Sequence, residues 1–125
     1  MIEIGSKNEI QFNIKENQTA KEMKTGGIEV FSSACMFAAM EEACFELCKK
    51  YLEPENTTVG IHMDCTHEKA SLVGETVVIS CEVIEVNDRK IKFSISGSTQ
   101  KGIIGKGTHL RCIVNTEKFM SKLTK

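Results

Sequence analysis

The sequence predicts an α+β domain in which one antiparallel sheet wraps around a single long helix. Two patterns point to it: a helical run early in the chain with a wide apolar arc, and strand-like runs over most of the remaining residues. The connections are the third sign, because most are too short for anything but antiparallel neighbours. A chain of 125 residues suits one domain, taken as 1–125. At that size about two-thirds of the unfolded surface is buried, enough for one core.

The elements come in this order. Glu9–Lys15 alternates Ile10, Phe12 and Ile14 with polar neighbours and reads as a half-buried strand. Glu16–Thr25 is polar and patternless, a loop closed by Gly26-Gly27. Ser32 and Ser33 are cap residues, and from there to about Leu52 the pattern is helical. At 100° per residue, Ser33, Ala34, Phe37, Met40, Glu41, Cys44, Phe45, Leu47, Cys48 and Tyr51 share one arc, with Glu42, Glu46, Lys49 and Lys50 opposite. Glu53-Pro54-Glu55-Asn56 stops the helix. Thr57–His67 then places Val59, Ile61, Met63, Cys65 and His67 in one strand phase. Thr76–Val86, Arg89–Thr99 and Ile103–Asn115 are three more strands, separated by the turn signals Asn87-Asp88 and Gln100-Lys101-Gly102. Thr116–Lys125 reads as a short helical tail. The helix must bury its arc, and the sheet is the available partner. That is the single hotdog arrangement.

Composition narrows the function. Lys and Arg number 16 against 17 Asp and Glu, a net charge of −1, and the chain has no Trp and one Tyr. Nucleic-acid binding wants a basic excess and stacking aromatics, so no nucleic-acid partner is expected. The longest weakly charged stretch, Ile28–Met40, is too short and polar for a bilayer, so no membrane partner is expected either. The N-terminus, Met1-Ile2-Glu3-Ile4, lacks the basic and apolar regions of a secretory signal, and a cytoplasmic protein is expected. Six cysteines without a C-x-x-C pair read as small buried hydrophobes in a reducing compartment, with no metal site.

Three polar residues stand out. Glu41 falls on the apolar arc beside Phe37, Cys44 and Phe45, while Glu42 lies about 100° away on the charged face. A carboxylate buried there would be pushed toward neutrality, which suits a base or nucleophile. The plain alternative is a glutamate at the edge of the arc, reaching solvent. His67 shares its strand phase with Val59, Ile61, Met63 and Cys65 and is expected to face the helix, as a proton carrier or as a hydrogen-bonded core histidine. Ser33 stands at the helix start, where capping is its simplest role, yet it occupies an angle near Glu41 about two turns earlier. Backbone N–H groups at a helix start also suit developing negative charge. His62 falls in the other phase, and His109 fits either reading. No P-loop, dinucleotide fingerprint, G-x-S-x-G elbow or H-E-x-x-H is present.

The runs Met40-Glu41-Glu42-Ala43-Cys44, Tyr51-Leu52-Glu53-Pro54, Thr58-Val59-Gly60 and Thr66-His67 resemble fluoroacetyl-CoA thioesterases and their relatives. Gly105-Lys106-Gly107-Thr108-His109-Leu110-Arg111 and Glu117-Lys118-Phe119 extend the resemblance over nearly the whole chain. The resemblance implies a hotdog fold, a homodimer or higher assembly, and hydrolysis of a short-chain acyl-CoA, with coenzyme A entering as part of the substrate and no other cofactor. It also implies a hydroxyl–glutamate–histidine trio, which falls on Ser33, Glu41 and His67, with serine where the family has threonine. Gly60 matches a glycine whose N–H helps bind the thioester carbonyl, and Arg111 an arginine near the substrate. The family's fluoroacetate-specific enzyme carries phenylalanines before the helix. Here Lys24-Thr25-Gly26-Gly27-Ile28 has none, so a different short acyl group or broad tolerance is expected. A non-catalytic acyl-CoA or small-ligand binding module on the same fold is the rival, though a binder has no need of a buried carboxylate. A hydratase would pair a strand Asp with a nearby His, and Asp64 and His67 have opposite phases.

Overall fold

A computed structural model describes residues 1–124. The order is β1 (Lys7–Asn13), a 3-10 turn at Glu16–Gln18, α1 (Ser33–Lys49), β2 (Asn56–Cys65), β3 (Thr76–Asn87), β4 (Lys90–Thr99), β5 (Gly102–Asn115) and α2 (Thr116–Leu123). The strands form one sheet in the order β1-β3-β4-β5-β2, and every neighbouring pair is antiparallel. The expected α+β hotdog is therefore the fold. β1 and β2 are its two edges, and α1 lies across the concave face against β1, β2, β3 and β4.

The β-branched and aromatic residues of the central strands face the helix. Val77, Ile79, Cys81 and Val83 of β3 alternate inward, as do Ile91, Phe93 and Ile95 of β4. From α1 they meet Met36, Ala39, Met40, Ala43, Cys44, Leu47 and Cys48. This stripe is rotated by roughly 70° from the expected arc, at 100° per residue. Small Ala39 and Ala43, left out of the expected arc, face the sheet and let the helix approach. Met36 seats over Gly97 and Gly105, which oppose each other on β4 and β5, and an added Cβ at Gly105 would collide with its side chain. The rotation moves Ser33, Ala34, Glu41 and Tyr51 out of the core, and all four are exposed.

Ser32 is the N-cap of α1, accepting a hydrogen bond from the Cys35 N–H at 3.4 Å. Ser33 is thereby left free on the first turn. On β2 the register with β5 shifts between Gly60 and His62, a bulge at Ile61. An extra residue reverses side-chain phase, so Thr58 faces inward before the bulge, Met63 and Cys65 after it, and Ile61 is 47% exposed. The single phase expected for Val59 through His67 fails at this point. The strand also ends at Cys65, so His67 lies in the connection beyond it. The six cysteines are free thiols, three of them buried. No metal-binding cluster occurs among the described residues, and no helix among them is long and apolar enough to cross a membrane.

Candidate active site

Two groups of polar residues lie along α1. The first is at its N-terminus. Ser33 Oγ and His67 Nδ1 are 2.7 Å apart, a strong hydrogen bond between the first helical residue and the connection after β2. The His67 ring packs edge-on against Phe31, with centroids 6.3 Å apart, and Phe31 is buried against Phe12. Burial pushes His67 below its ordinary 6.5, partly offset by the Lys69 backbone, which favours the protonated ring. A neutral imidazole at Ser33 accepts a proton more readily than it supplies one.

The second group surrounds Glu41. Arg111, 6% exposed, extends from β5 beneath the helix. Its Nε donates to Thr58 Oγ1 at 2.8 Å and its Nη2 to the Thr58 carbonyl at 3.0 Å. Its Nη1 is 3.3 Å from Glu41 Oε2 and 3.1 Å from His109 Nε2. The guanidinium also sits over the Phe45 ring, 5.7 Å from its centroid. His109 is 2% exposed, and its Nδ1 is 2.7 Å from the His62 carbonyl. Gly60 pairs with Arg111 across β2 and β5, and its missing side chain makes the room that the Glu41 carboxylate and the guanidinium occupy.

The expected residues thus fall into two sets. Ser33 meets His67, and Glu41 meets Gly60 and Arg111. Two helical turns, about 12 Å along the axis, separate the sets. Among the described residues no hydrogen bond joins them. The burial expected for Glu41 is not found: its side chain is 48% exposed. Glu42 is exposed as well, and the difference between them is the buried cation that holds Glu41. Thr58 and His109 are additions. Their signal in the sequence is spacing, since His109 and Arg111 are two apart on one strand and so share a face, as do Thr58 and Gly60.

Comparison with known proteins finds similar chains. The family described as fluoroacetyl-CoA-specific thioesterase matches residues 14–117. A fluoroacetyl-CoA thioesterase of Streptantibioticus cattleyicolor is 35% identical over 95 residues, which is 76% of this chain and 68% of that protein. A solved structure of a fluoroacetyl-CoA thioesterase superposes with a TM-score of 0.94 at 28% identity, covering 99% of this chain and 96% of the other. A variant of a fluoroacetyl-CoA-specific thioesterase, solved in complex with fluoroacetate and CoA, matches at 0.90 and 28% identity over 94% of this chain and 99% of its own.

Proposed function

We propose a catalytic cycle on one premise: the chain belongs to the fluoroacetyl-CoA-specific thioesterase family. It is a thioester hydrolase that cleaves a short-chain acyl-CoA to free acid and CoA. The observation that carries the residue assignment is the carboxylate of Glu41, anchored at 3.3 Å by a buried guanidinium and seated against the backbone of Gly60. An ionised carboxylate is the form that attacks a carbonyl or takes a proton from water, and the Arg111 contact holds this one in place. Covalent attack gives a mixed anhydride that water opens, and base catalysis adds water directly. Both routes break the C–S bond, form a C–O bond and need this carboxylate. The N–H of Gly60 and the free N–H groups at the start of α1 supply donors for the oxyanion. Ser33 and His67, hydrogen-bonded at 2.7 Å, orient the thioester, and the neutral His67 ring takes a proton from the attacking water and passes it to the CoA thiolate once the C–S bond has broken. Coenzyme A enters and leaves as part of the substrate, and the cycle draws on no other cofactor.

A homodimer closes the gap between the two sets. β2 is an edge strand whose outer side has no partner within the chain, and it carries Gly60 and the exposed Ile61. Unpaired edges of this length invite another strand. Twofold pairing of β2 edges extends the sheet across two copies and runs the two helices in opposite directions. Ser33 and His67 of one protomer then approach Glu41 of the partner subunit, giving two equivalent sites. A cytoplasmic location is part of the proposal, in keeping with six unpaired thiols.

The acyl group follows from the segment before α1. Thr19 bridges to Phe31, and the Ala20 N–H donates to the Val30 carbonyl at 2.8 Å, so 20–30 forms a closed loop. Its tip carries no aromatic side chain, and a side chain added at Gly27 would meet nothing. Phe31, the first aromatic, is 1% exposed and belongs to the core. An open tip of this kind does not sort acyl groups by one fluorine. Steady-state hydrolysis over a panel of acetyl-, propionyl-, butyryl- and fluoroacetyl-CoA tests the reading. Comparable kcat/KM for the short acyl groups is expected. Failure to hydrolyse any member contradicts the enzyme assignment, and a large preference for fluoroacetyl-CoA contradicts the argument from the loop.

A further inference from the structure

The protons on His109 are assigned by its neighbours. Its Nδ1 is 2.7 Å from the His62 carbonyl, which only accepts, so Nδ1 carries hydrogen. Its Nε2 is 3.1 Å from Arg111 Nη1, which only donates, so Nε2 is a bare lone pair. The ring is therefore neutral, in one tautomer, and its plane is held by Phe93 stacked at 6.3 Å with an interplanar angle of 28°. Burial pushes His109 below its ordinary 6.5; the His62 carbonyl pulls back, and the adjacent guanidinium lowers it further against a weaker opposing pull from Glu41. Glu41 Oε2, at 3.7 Å from Nε2, lies beyond hydrogen-bond reach and meets the ring through Arg111.

Arg111 has five N–H groups. Nε is committed to Thr58 Oγ1, one Nη2 hydrogen to the Thr58 carbonyl, and the Nη1 pair to His109 and Glu41. A guanidinium so occupied is aimed at the carboxylate and has little left to offer a substrate. We infer that His109 is a positioning residue for the hydrolysis: its Nε2 fixes Arg111, and Arg111 fixes the carboxylate of Glu41 beside Gly60. The same ring ties the site to the β2 bulge, because the carbonyl it holds belongs to His62, the residue where the register resumes.

This inference rests on the catalytic reading of Glu41, and the experiment separates the two. His109→Asn keeps an N–H for the His62 carbonyl but places no acceptor near Arg111 Nη1. His109→Gln brings an amide oxygen within reach of it. His109→Leu removes both. Acetyl-CoA hydrolysis is measured for each at equal folded fraction, judged by circular dichroism and thermal melts, alone and combined with Glu41→Gln. His109→Asn and His109→Leu should lower kcat about 10- to 100-fold, the scale of a catalytic group misplaced by about 1 Å. KM should stay within a few-fold, and His109→Gln should recover most of the rate. In the Glu41→Gln background the His109 changes should add almost no further loss, because they act through that carboxylate. If the leucine variant does not fold, the asparagine–glutamine pair carries the same comparison. Folded His109→Asn with the wild-type kcat overturns the inference, as do losses that multiply in the double variant. If Glu41→Gln itself turns over normally, the reading of Glu41 falls and this inference with it; if only the His109 variants are silent, this inference falls alone.

Discussion

Replacing Gly60 by alanine separates the catalytic geometry from the fold. The added Cβ lands on Glu41 Oε2, 3.1 Å from His109 Cε1 and 3.3 Å from Arg111 Nη1. The histidine and arginine are buried and hydrogen-bonded on several sides, so they yield by only a few tenths of an ångström. The Glu41 side chain is 48% exposed and flexible, so it is the group that moves, by roughly 1 Å before ordinary contact is restored. A misplacement of that size costs about 100-fold in turnover. The loss of stability is small, about 1 kcal/mol, at the low end of overpacking. The backbone N–H of residue 60 remains, so the loss reports the carboxylate rather than an oxyanion donor. Gly107→Ala is the contrasting change: its Cβ would fall on the backbone carbonyl of Asp64, which cannot swing aside, and stability should suffer first. The assay is acetyl-CoA hydrolysis with release of the CoA thiol followed continuously, beside a thermal melt of each variant. Gly60→Ala with the wild-type kcat and an unchanged melt would refute the placement of Glu41.

The remaining predictions concern assembly, pH and the thiols. Sedimentation at micromolar concentration should find a dimer, and Ile61→Lys on the β2 edge should weaken it and lower activity together; a monomer with full activity contradicts the shared site. His67 and His109 both titrate below their ordinary 6.5 in the folded chain, because burial disfavours the charged ring. The unfolded chain therefore binds more protons between the folded values and 6.5, so stability should fall as pH drops through that window and be flat above it as far as these groups are concerned. Urea midpoints at intervals from pH 8 to pH 5, roughly spanning that window, check the sign, and a midpoint that rises toward acid contradicts it. Burial pushes the Cys48 thiol up to about 11 and raises Cys44 as well, the latter mainly through its hydrogen bond with Cys81. Native thiol titration should leave these two unreactive until denaturant is added, and rapid labelling of either in the folded protein contradicts their burial.

Most of the fold was legible because its signals are local. Alternation of Val77, Ile79, Cys81 and Val83 marks β3, and Asn87-Asp88 marks the turn to β4, where Asp88 takes a φ of +58°. The helix was legible in extent but not in rotation, because Ala39 and Ala43 weigh little in a hydrophobic pattern and yet face the sheet. The β2 bulge was not legible. One extra residue at Ile61 reverses the phase without any change in composition, and it is what turns Thr58 and Met63 inward together. Of the candidate site, periodicity singles out Glu41 and His67: Glu41 takes the alternative reading, at the exposed edge of the helical arc, and His67 faces the helix through Ser33 although it lies past the end of its strand. Ser33 was legible as a cap and by its angle near Glu41; Ser32 holds the capping role, which leaves Ser33 to meet His67. His109 stayed ambiguous because spacing along β5 puts it on the face of Arg111 but does not give the His62 carbonyl, from another strand, that fixes its tautomer.

Glu41 is the residue on which the proposed catalysis turns, and its neighbour supplies the control. Glu41→Gln keeps the side chain's size and removes its charge and basicity, while Glu42→Gln makes the same change one residue on, where no buried arginine waits. Both variants should fold, dimerise and bind acyl-CoA. Steady-state hydrolysis of acetyl-CoA should fall at least about 100-fold in Glu41→Gln, the scale of a positioned acid–base group, and stay near wild type in Glu42→Gln. Equal activity in the two variants would contradict the mechanism and leave an acyl-CoA binding module as the better account of this site.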